Sequence, residues 1–349
     1  MKRFLLFCFV LLLIGGAAAG GAGYWAWEQL HQPYQGYADS QTVEVRSGQG
    51  ASSILNELQA AGVLRDARLA RAWLIYGLQD APLLAGEYQF NEPLSAVQVL
   101  EKLGRGEVVT YPLTVIEGLT FDETAESIAS QGFGSLERLR AEVRRAELIR
   151  DLDPKAETLE GYLYPDTYHF ARGATEEEIV AKLVKTFRQR WEEVSPLVTD
   201  GRSVREVVIL ASIVEKETQV DEETGLVAGV YANRLRQRIG LYADPTIIYG
   251  LKLAGTWDGN LTRANLRAKD NPYNTYVFGG LPPGPICSPA IKSLAAAAAP
   301  PDTKYLYFVS RNDGTHVFAE SKREHDRNVE VWQRQYWRKR WAEERRRGG

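Results

Sequence analysis

The N-terminal segment restricts the possible folds of this chain more than any other feature. It reads MKRFLLFCFVLLLIGGAAAGGAGYWAW, in which two basic residues precede about 21 uncharged, mostly apolar residues, enough for a helix to cross a bilayer. Tyr24, Trp25 and Trp27 follow at the position of an interfacial aromatic belt. A cleaved signal peptide is the alternative, because AAAGGAG offers small residues. The length of the run favours an uncleaved anchor at residues 1–27, with a cytoplasmic tip and the rest of the chain outside.

The composition of the whole chain excludes two classes of function. With 44% hydrophobic and 25% charged residues and a net charge of −3, it has no basic surface of the kind that binds nucleic acid. The two cysteines and four histidines form no cluster with metal-ligand spacing, so we expect no metal and no cofactor. Cys287 is predicted to be a buried, inert thiol. The charged tail at residues 336–349 mixes acids with bases and predicts a solvated terminal helix.

A strand-then-helix pattern follows a polar linker at residues 28–40 and recurs once. TVEVRSGQGASSILNELQAAGVL begins at Thr42, and LTVIEGLTFDETAESIASQGFG begins about seventy residues later at Leu113. Nothing repeats a third time, so the pattern is a weak two-copy repeat and not a solenoid. The matched positions are Val43 with Leu113, Val45 with Val115, Gly48 with Gly118, Leu58 with Ile128 and Gly62 with Gly132.

Residues 41–108 form a βααβ-like pattern that resembles a LysM-type module. The first strand and helix are followed by a helical ARLARAWLIYGL, a short strand GEYQF and a helical SAVQVLEKLGRG that stops at glycine. LysM-type modules commonly bind amino-sugar polymers, and the resemblance implies that these residues bind such a polymer as well.

Two glutamates end the apolar segment SVREVVILASIVEKETQ. Ser203 and Glu206 form a capping-box signature, which predicts that a helix begins there. At ~100° per residue, Glu217 lies in the middle of the apolar face of that helix, and Glu215 lies opposite with Val208. Loss of hydration favours the protonated form of a carboxyl, which a general acid requires. Glu217 is therefore the candidate acid, and Glu215 is predicted to face solvent or an ion-pair partner.

Other roles for these acids stay open from the residues alone. Glu217 could point out of the core or pair with Arg234 or Arg236. The segments LYADPTIIYG, NPYNTY and GGLPPGPICSP follow, and rigid polar loops beside a buried acid predict a cleft for a hydroxyl-rich ligand. Upstream, the Tyr-rich LEGYLYPDTYHF could stack on sugar rings or simply pack. The candidate contacts in these segments are Asp244, Asn274, Thr275, Tyr276, Tyr164 and Asp166.

The motifs in this order resemble the YceG-like (MltG) family of endolytic murein transglycosylases. They are EGYLYPDTY, ASIVEKET, ADPTIIYG, NPYNTY, GLPPGPI and YLYFV with GTHVF, and the resemblance covers nearly everything from the anchor to about residue 335. The resemblance implies an α+β fold class: one transmembrane helix, the LysM-like subdomain and a mixed α/β YceG-like catalytic domain at residues 109–335. In that family the second glutamate of E-K-E-T is catalytic, which is Glu217 here.

The resemblance also implies a reaction and a location. The family cuts the β-1,4 bond between N-acetylmuramic acid and N-acetylglucosamine without water and leaves a 1,6-anhydromuramyl end, with one general acid/base. It implies a single-pass protein of the bacterial cytoplasmic membrane, an extracytoplasmic body, peptidoglycan strands as substrate and peptidoglycan synthases as candidate partners. Two alternatives remain: a muramidase that uses water and a second carboxylate, Asp244 or Asp166, and a peptidoglycan-binding scaffold without turnover.

Overall fold

The computed structural model describes residues 2–347. Met1, Gly348 and Gly349, which belong to the predicted anchor and tail segments, lie outside the described residues. The described chain forms two compact units. The first holds the chain up to Pro112 together with His169–Gly173, and the second holds Leu113–Tyr168 and the chain from Ala174 onward.

The first unit begins with a 30-residue helix, α1 (Lys2–His31). Its segment Leu6–His31 is, within residues 2–347, the one helix long and apolar enough to cross a membrane, with a mean hydropathy of 2.1. Most apolar side chains of this segment are exposed; Leu12, for example, keeps 75% of its surface accessible, whereas Leu30 near the end of the helix is buried. Length and composition are therefore compatible with a single-pass anchor.

The rest of the first unit has the predicted order of elements. They are β1 (Gln41–Val45), α2 (Ala51–Ala60), α3 (Ala67–Tyr76), β2 (Gly86–Phe90) and α4 (Ala96–Arg105). β1 and β2 pair antiparallel, with Val43 opposite Tyr88. Alternation along both strands turns one face inward, where Val43, Val45, Tyr88 and Phe90 are buried against apolar side chains of the three short helices. The likeness of this arrangement to LysM modules stays a prediction.

The predicted two-copy repeat has the same local structure in both copies. The second copy consists of β3 (Thr110–Val115), α5 (Phe121–Ser130), α6 (Leu136–Glu142) and β4 (Asp166–Ala171), and β3 and β4 form a two-stranded sheet. Each first helix has 10 residues. Gly48 and Gly118 turn the chain at φ of 78° and 75°. The matched strand and helix positions are buried in both copies: Val43, Val45, Leu58, Leu113, Val115 and Ile128.

The second unit continues with a bundle of helices and a hairpin. They are α7 (Glu176–Val194), α8 (Val204–Glu217), α9 (Asp221–Arg236), α10 (Asp244–Leu253), α11 (Ile291–Ala298), β5 (Tyr307–Ser310), β6 (His316–Ala319), α12 (Lys322–Val329) and, after one π-helical segment (Glu330–Gln335), α13 (Tyr336–Arg347). β5 and β6 pair antiparallel. α8 is central, because it packs against α9, α10 and α11. The predicted terminal helix is present in α13, where Arg338 and Arg340 are exposed.

α8 is buried on both faces, and this corrects the prediction of a single apolar face. The segment before α11 lies along the side opposite Glu217: the Ser212 hydroxyl accepts a hydrogen bond from the Ile286 N–H at 3.0 Å. Glu215 is half-buried there and accepts from the Ala290 N–H at 3.0 Å, so its partner is a backbone amide and not the predicted solvent or ion-pair partner. Cys287 is fully buried on the same segment, and burial raises the pKa of its thiol.

Candidate active site

Glu217 is the last residue of α8, and the helix begins where the sequence predicts. The Ser203 hydroxyl accepts from the Glu206 N–H at 3.3 Å, and the Glu206 carboxylate accepts from the Ser203 N–H at 2.8 Å. This reciprocal cap fixes the first turn of the helix. α8 has 14 residues, and its helical geometry from this fixed start determines the direction in which the Glu217 side chain leaves it.

The Glu217 carboxyl combines partial access to solvent with surroundings that disfavour its charge. The side chain is half-buried, and its Oε1 accepts a hydrogen bond from the Tyr231 hydroxyl at 3.1 Å. The pKa of Glu217 is raised to about 7. Burial is the largest cause and the negative charge of Asp244 adds to it, while the Tyr231 hydrogen bond and the Arg234 charge act in the opposite direction. A carboxyl with this pKa exchanges a proton in both directions near neutral pH.

Arg234 places a buried positive charge close to this carboxyl. Its Nε donates to the Leu306 carbonyl at 2.7 Å, and its Nη1 donates to the Leu241 carbonyl at 2.6 Å. The guanidinium also faces the rings of Tyr242 and Tyr307 at 5.7 and 5.3 Å from their centroids. Burial lowers the pKa of Arg234 from its ordinary value, but carbonyl and aromatic partners hold the cation in place.

Asp244 begins α10 and is held by an aromatic residue of the following loop. The Tyr276 hydroxyl donates to Asp244 Oδ1 at 2.7 Å. The Tyr276 ring lies beside that of Tyr242, with 5.2 Å between their centroids, and the two residues keep 36% and 47% of their surface exposed. Asp244 and two accessible rings thus form one surface near Glu217, and the predicted contact of Asp244 and Tyr276 with substrate stays a prediction.

Asn274 and Thr275 lie in the same loop, but their side chains are buried within the protein. The Asn274 amide donates to three backbone carbonyls, including that of Ala268 at 2.8 Å. The Thr275 hydroxyl accepts from the Ala243 N–H at 3.0 Å and lies 3.0 Å from the Thr246 hydroxyl. These bonds fix the loop and the start of α10, and the role of both residues in shaping a substrate cleft stays a prediction.

The loop reaches α10 because of a glycine in that helix. Asn271 donates through its amide to the Ile247 carbonyl at 3.0 Å and accepts from the Tyr273 N–H at 3.0 Å. A Cβ on Gly250 would overlap the Asn271 amide. Glycine therefore permits the close approach that joins the NPYNTY loop to the helix carrying Asp244.

Tyr164 and Asp166 make their contacts elsewhere in the second unit. Tyr164 is buried; its carbonyl accepts from the Tyr168 hydroxyl at 2.6 Å, and its ring lies 5.8 Å from the Arg190 guanidinium. Asp166 is exposed and accepts from the Thr167 N–H at 2.8 Å. Among the contacts of the described residues, none joins either residue to Glu217 or Asp244. Their role in substrate binding stays a prediction.

A second buried acid, Glu160, differs from Glu217 in its partners. Both of its oxygens accept from the Phe121 N–H, at 3.1 and 3.2 Å, and the Tyr249 hydroxyl also bonds to it. Burial raises the pKa of Glu160 to about 8. It caps the start of α5 beside a cavity of about 190 Å³. Its bonds to the backbone make it a structural acid, whereas Glu217 is reachable from solvent.

The sequence does not single out Tyr231, and it presents Arg234 only as a structural partner. Tyr231 lies in α9, fourteen residues after Glu217, and it meets the carboxyl only because α8 and α9 pack together. Within residues 2–347, there is no group of three or more His, Cys, Asp or Glu residues suited to hold a metal ion. The groups that the structure brings together around Glu217 are the Tyr231 phenol, the Arg234 guanidinium and the Asp244 carboxyl.

Comparisons with known proteins show which family this chain is similar to. The chain matches the YceG-like family over residues 43–331. It is 30% identical over 345 residues to the endolytic murein transglycosylase of Bacillus subtilis, covering 92% of this chain and 91% of that protein. It is 28% identical over 320 residues to the endolytic murein transglycosylase of Streptococcus pneumoniae strain D39, covering 82% of this chain and 57% of that protein.

A solved structure shows the same likeness. The crystal structure of a YceG-like protein from Listeria monocytogenes superposes with a TM-score of 0.55 at 29% sequence identity, covering 83% of this chain and 99% of that one. The resemblance carried by the sequence motifs is thereby confirmed. Because the family match extends over most of the chain, this protein belongs to the YceG-like family.

Proposed function

We propose that this protein is a membrane-anchored endolytic murein transglycosylase in which Glu217 is the single general acid/base. One observation carries the proposal: a half-buried carboxyl whose pKa is raised to about 7, with one oxygen bonded to the Tyr231 hydroxyl. The names of the relatives from Bacillus subtilis and Streptococcus pneumoniae support the reaction class.

The first step is protonation of the glycosidic oxygen. Protonated Glu217 donates its proton to the oxygen that joins C1 of N-acetylmuramic acid to C4 of N-acetylglucosamine. The C1–O bond breaks, its electron pair stays on the departing oxygen, and positive charge develops at C1 and the ring oxygen. The Asp244 carboxylate, oriented by Tyr276 at 2.7 Å, supplies the negative charge that stabilises this oxocarbenium-like state.

The second step returns the proton to the enzyme. The muramyl C6 hydroxyl attacks C1 and transfers its proton to the Glu217 carboxylate, which forms the 1,6-anhydro ring and restores the acid. The nucleophile belongs to the substrate, so neither water nor a second catalytic carboxylate is needed. A pKa near 7 suits a group that must donate and then accept a proton in one cycle.

The length and composition of α1 support a proposed location for the protein. We place this helix in the bacterial cytoplasmic membrane, with its N-terminus inside and the body on the extracytoplasmic side, where new glycan strands emerge. The βααβ part of the first unit is proposed to bind glycan as LysM-type modules do. Peptidoglycan synthases are the candidate protein partners, because they produce strands at the same surface.

The test is a digest with the full-length protein in detergent micelles. Purified peptidoglycan and nascent, uncrosslinked glycan are incubated with the parent, with Glu217→Gln and with Glu215→Gln, and the products are read by mass spectrometry. We expect anhydromuramyl ends from the parent and from Glu215→Gln, whose amide oxygen still accepts from Ala290, and none from Glu217→Gln. Products heavier by one water would indicate the two-carboxylate hydrolase. Intact glycan with both substrates would indicate the binding scaffold.

A further inference from the structure

The phenol of Tyr231 is buried behind the candidate acid. Tyr231 lies on α9 with 1% of its surface exposed, and its hydroxyl donates to Glu217 Oε1 at 3.1 Å. Its ring is fixed on the other side by Phe308 of β5, with 5.8 Å between centroids and an interplanar angle of 89°. The hydroxyl is therefore held in one place against one oxygen of the carboxyl.

The chemistry of a buried phenol determines the direction of this hydrogen bond. A phenol has a single O–H to donate, and a carboxylate can only accept. Burial and the neighbouring Glu217 charge both raise the pKa of Tyr231, so the phenol keeps its proton throughout the working pH range. A hydroxyl buried at this depth without a hydrogen-bond partner is unfavourable. Tyr231 therefore donates to the Glu217 carboxylate, and when Glu217 is protonated on Oε2, Oε1 remains a carbonyl oxygen that accepts from the same O–H.

From this geometry we propose that Tyr231 is a positioning residue that occupies Oε1 of Glu217 and leaves Oε2 as the oxygen for both proton transfers. The proposal rests on the proposed function, since it assigns a role within the same site. The proton leaves Oε2 for the glycosidic oxygen, and the proton of the C6 hydroxyl returns to Oε2. Between these two proton transfers the negative charge of the carboxylate is shared by both oxygens, and the Tyr231 hydrogen bond stabilises the part on Oε1.

The same hydrogen bond affects the acidity of Glu217. A hydrogen bond to an ionised acceptor is stronger than one to a neutral acceptor, so the Tyr231 donor favours the carboxylate. The other charged groups that act on this carboxyl are Arg234 of α9, which also favours the carboxylate, and Asp244 of α10, which disfavours it. Removing only the Tyr231 hydroxyl leaves both in place and raises the pKa of Glu217 further.

The experiment compares Tyr231→Phe with a matched control, Tyr162→Phe, in full-length protein. The Tyr162 hydroxyl is equally buried and donates to a carboxylate, that of Asp153, at 2.6 Å, so the control removes a hydrogen bond of the same kind in the same unit. The rate of anhydromuramyl formation is measured against pH. For Tyr231→Phe we expect kcat to fall by about 10–100-fold with little change in KM, and the basic limb of the profile to move to higher pH. For Tyr162→Phe the limb stays in place.

A second variant tests the proposal without disturbing the packing. Replacing Tyr231 with 3-fluorotyrosine keeps the hydroxyl and makes it more acidic, so its bond to the carboxylate strengthens and the basic limb moves to lower pH. Opposite shifts in the two variants support the positioning role. A fall in kcat with an unmoved limb in both would show that Tyr231 only fills space, and an unchanged enzyme would likewise overturn the proposal. A parent protein that forms no anhydromuramyl product would instead refute the proposed function.

Discussion

Replacing Glu217 by glutamine is predicted to stabilise the folded protein at alkaline pH. The pKa of Glu217 is about 7 in the folded chain against an ordinary value of 4.5. Between these values the folded state holds a proton that the unfolded state has released, so the free energy of unfolding decreases as the pH rises through this window. Glutamine cannot ionise, so the Glu217→Gln variant does not undergo this loss.

The magnitude follows from the difference between the two pKa values. At about 1.4 kcal/mol per pKa unit, ionising Glu217 in the folded state is unfavourable by about 3 kcal/mol. The unfolding free energy of Glu217→Gln relative to the parent should therefore increase by about 3 kcal/mol between pH 4.5 and pH 8.5. For a unit of this size, that corresponds to a melting temperature higher by roughly 6–12 °C.

The assay is thermal unfolding of the full-length parent and variant in the same detergent at both pH values. The comparison at pH 4.5 is the internal control. At that pH Glu217 is protonated in the folded parent, so the side chain is uncharged in both proteins. The pH dependence contributed by Glu160 cancels, since both proteins keep that residue. Equal melting temperatures at pH 8.5, or the same difference at both pH values, would refute the claim that burial raises the pKa of Glu217.

Two further predictions concern the groups around this carboxyl. Asp244→Asn removes the negative charge that raises the pKa of Glu217, so the basic limb of the rate profile should move to lower pH; an unmoved limb would contradict the electrostatic role of Asp244. Gly250→Ala should lower the melting temperature although alanine favours a helix by ~1 kcal/mol, because its Cβ would displace the Asn271 amide. Gly225→Ala on α9 is the control: its Cβ comes no closer than 3.7 Å to Pro301, so its melting temperature should stay equal or rise.

Much of the local structure was predictable because its causes lie within a few residues. The capping box at Ser203 fixed the start of α8, and the apolar periodicity with turn glycines indicated both copies of the strand–turn–helix pattern. The place of Glu217 at the end of this helix was predictable as well, since spacing along a helix determines which neighbours a residue has on it. The long apolar run likewise predicted α1 from length and composition alone.

What the sequence could not decide depends on packing between distant segments. Helical periodicity describes one helix at a time, so it left solvent or an ion-pair partner for Glu215; in the structure the chain before α11 supplies a backbone N–H to it. The sequence left Tyr164 either to stack on sugar or to pack, and only the structure shows that it is buried in the second unit. For Asn274 and Thr275, only the structure shows that their side chains bond to backbone carbonyls and amides.

The sequence by itself determined which residue could be the acid, and only the tertiary structure decided how acidic it is. The pKa of Glu217 is set by burial and by three groups, Tyr231, Arg234 and Asp244, that come from two other helices. Each of these influences decreases steeply with distance, so none exists until α8, α9 and α10 have packed together. The neighbours of a residue along one helix follow from sequence spacing. The pKa of one carboxyl depends on its lost hydration and on the surrounding charges, and both exist only in the folded molecule.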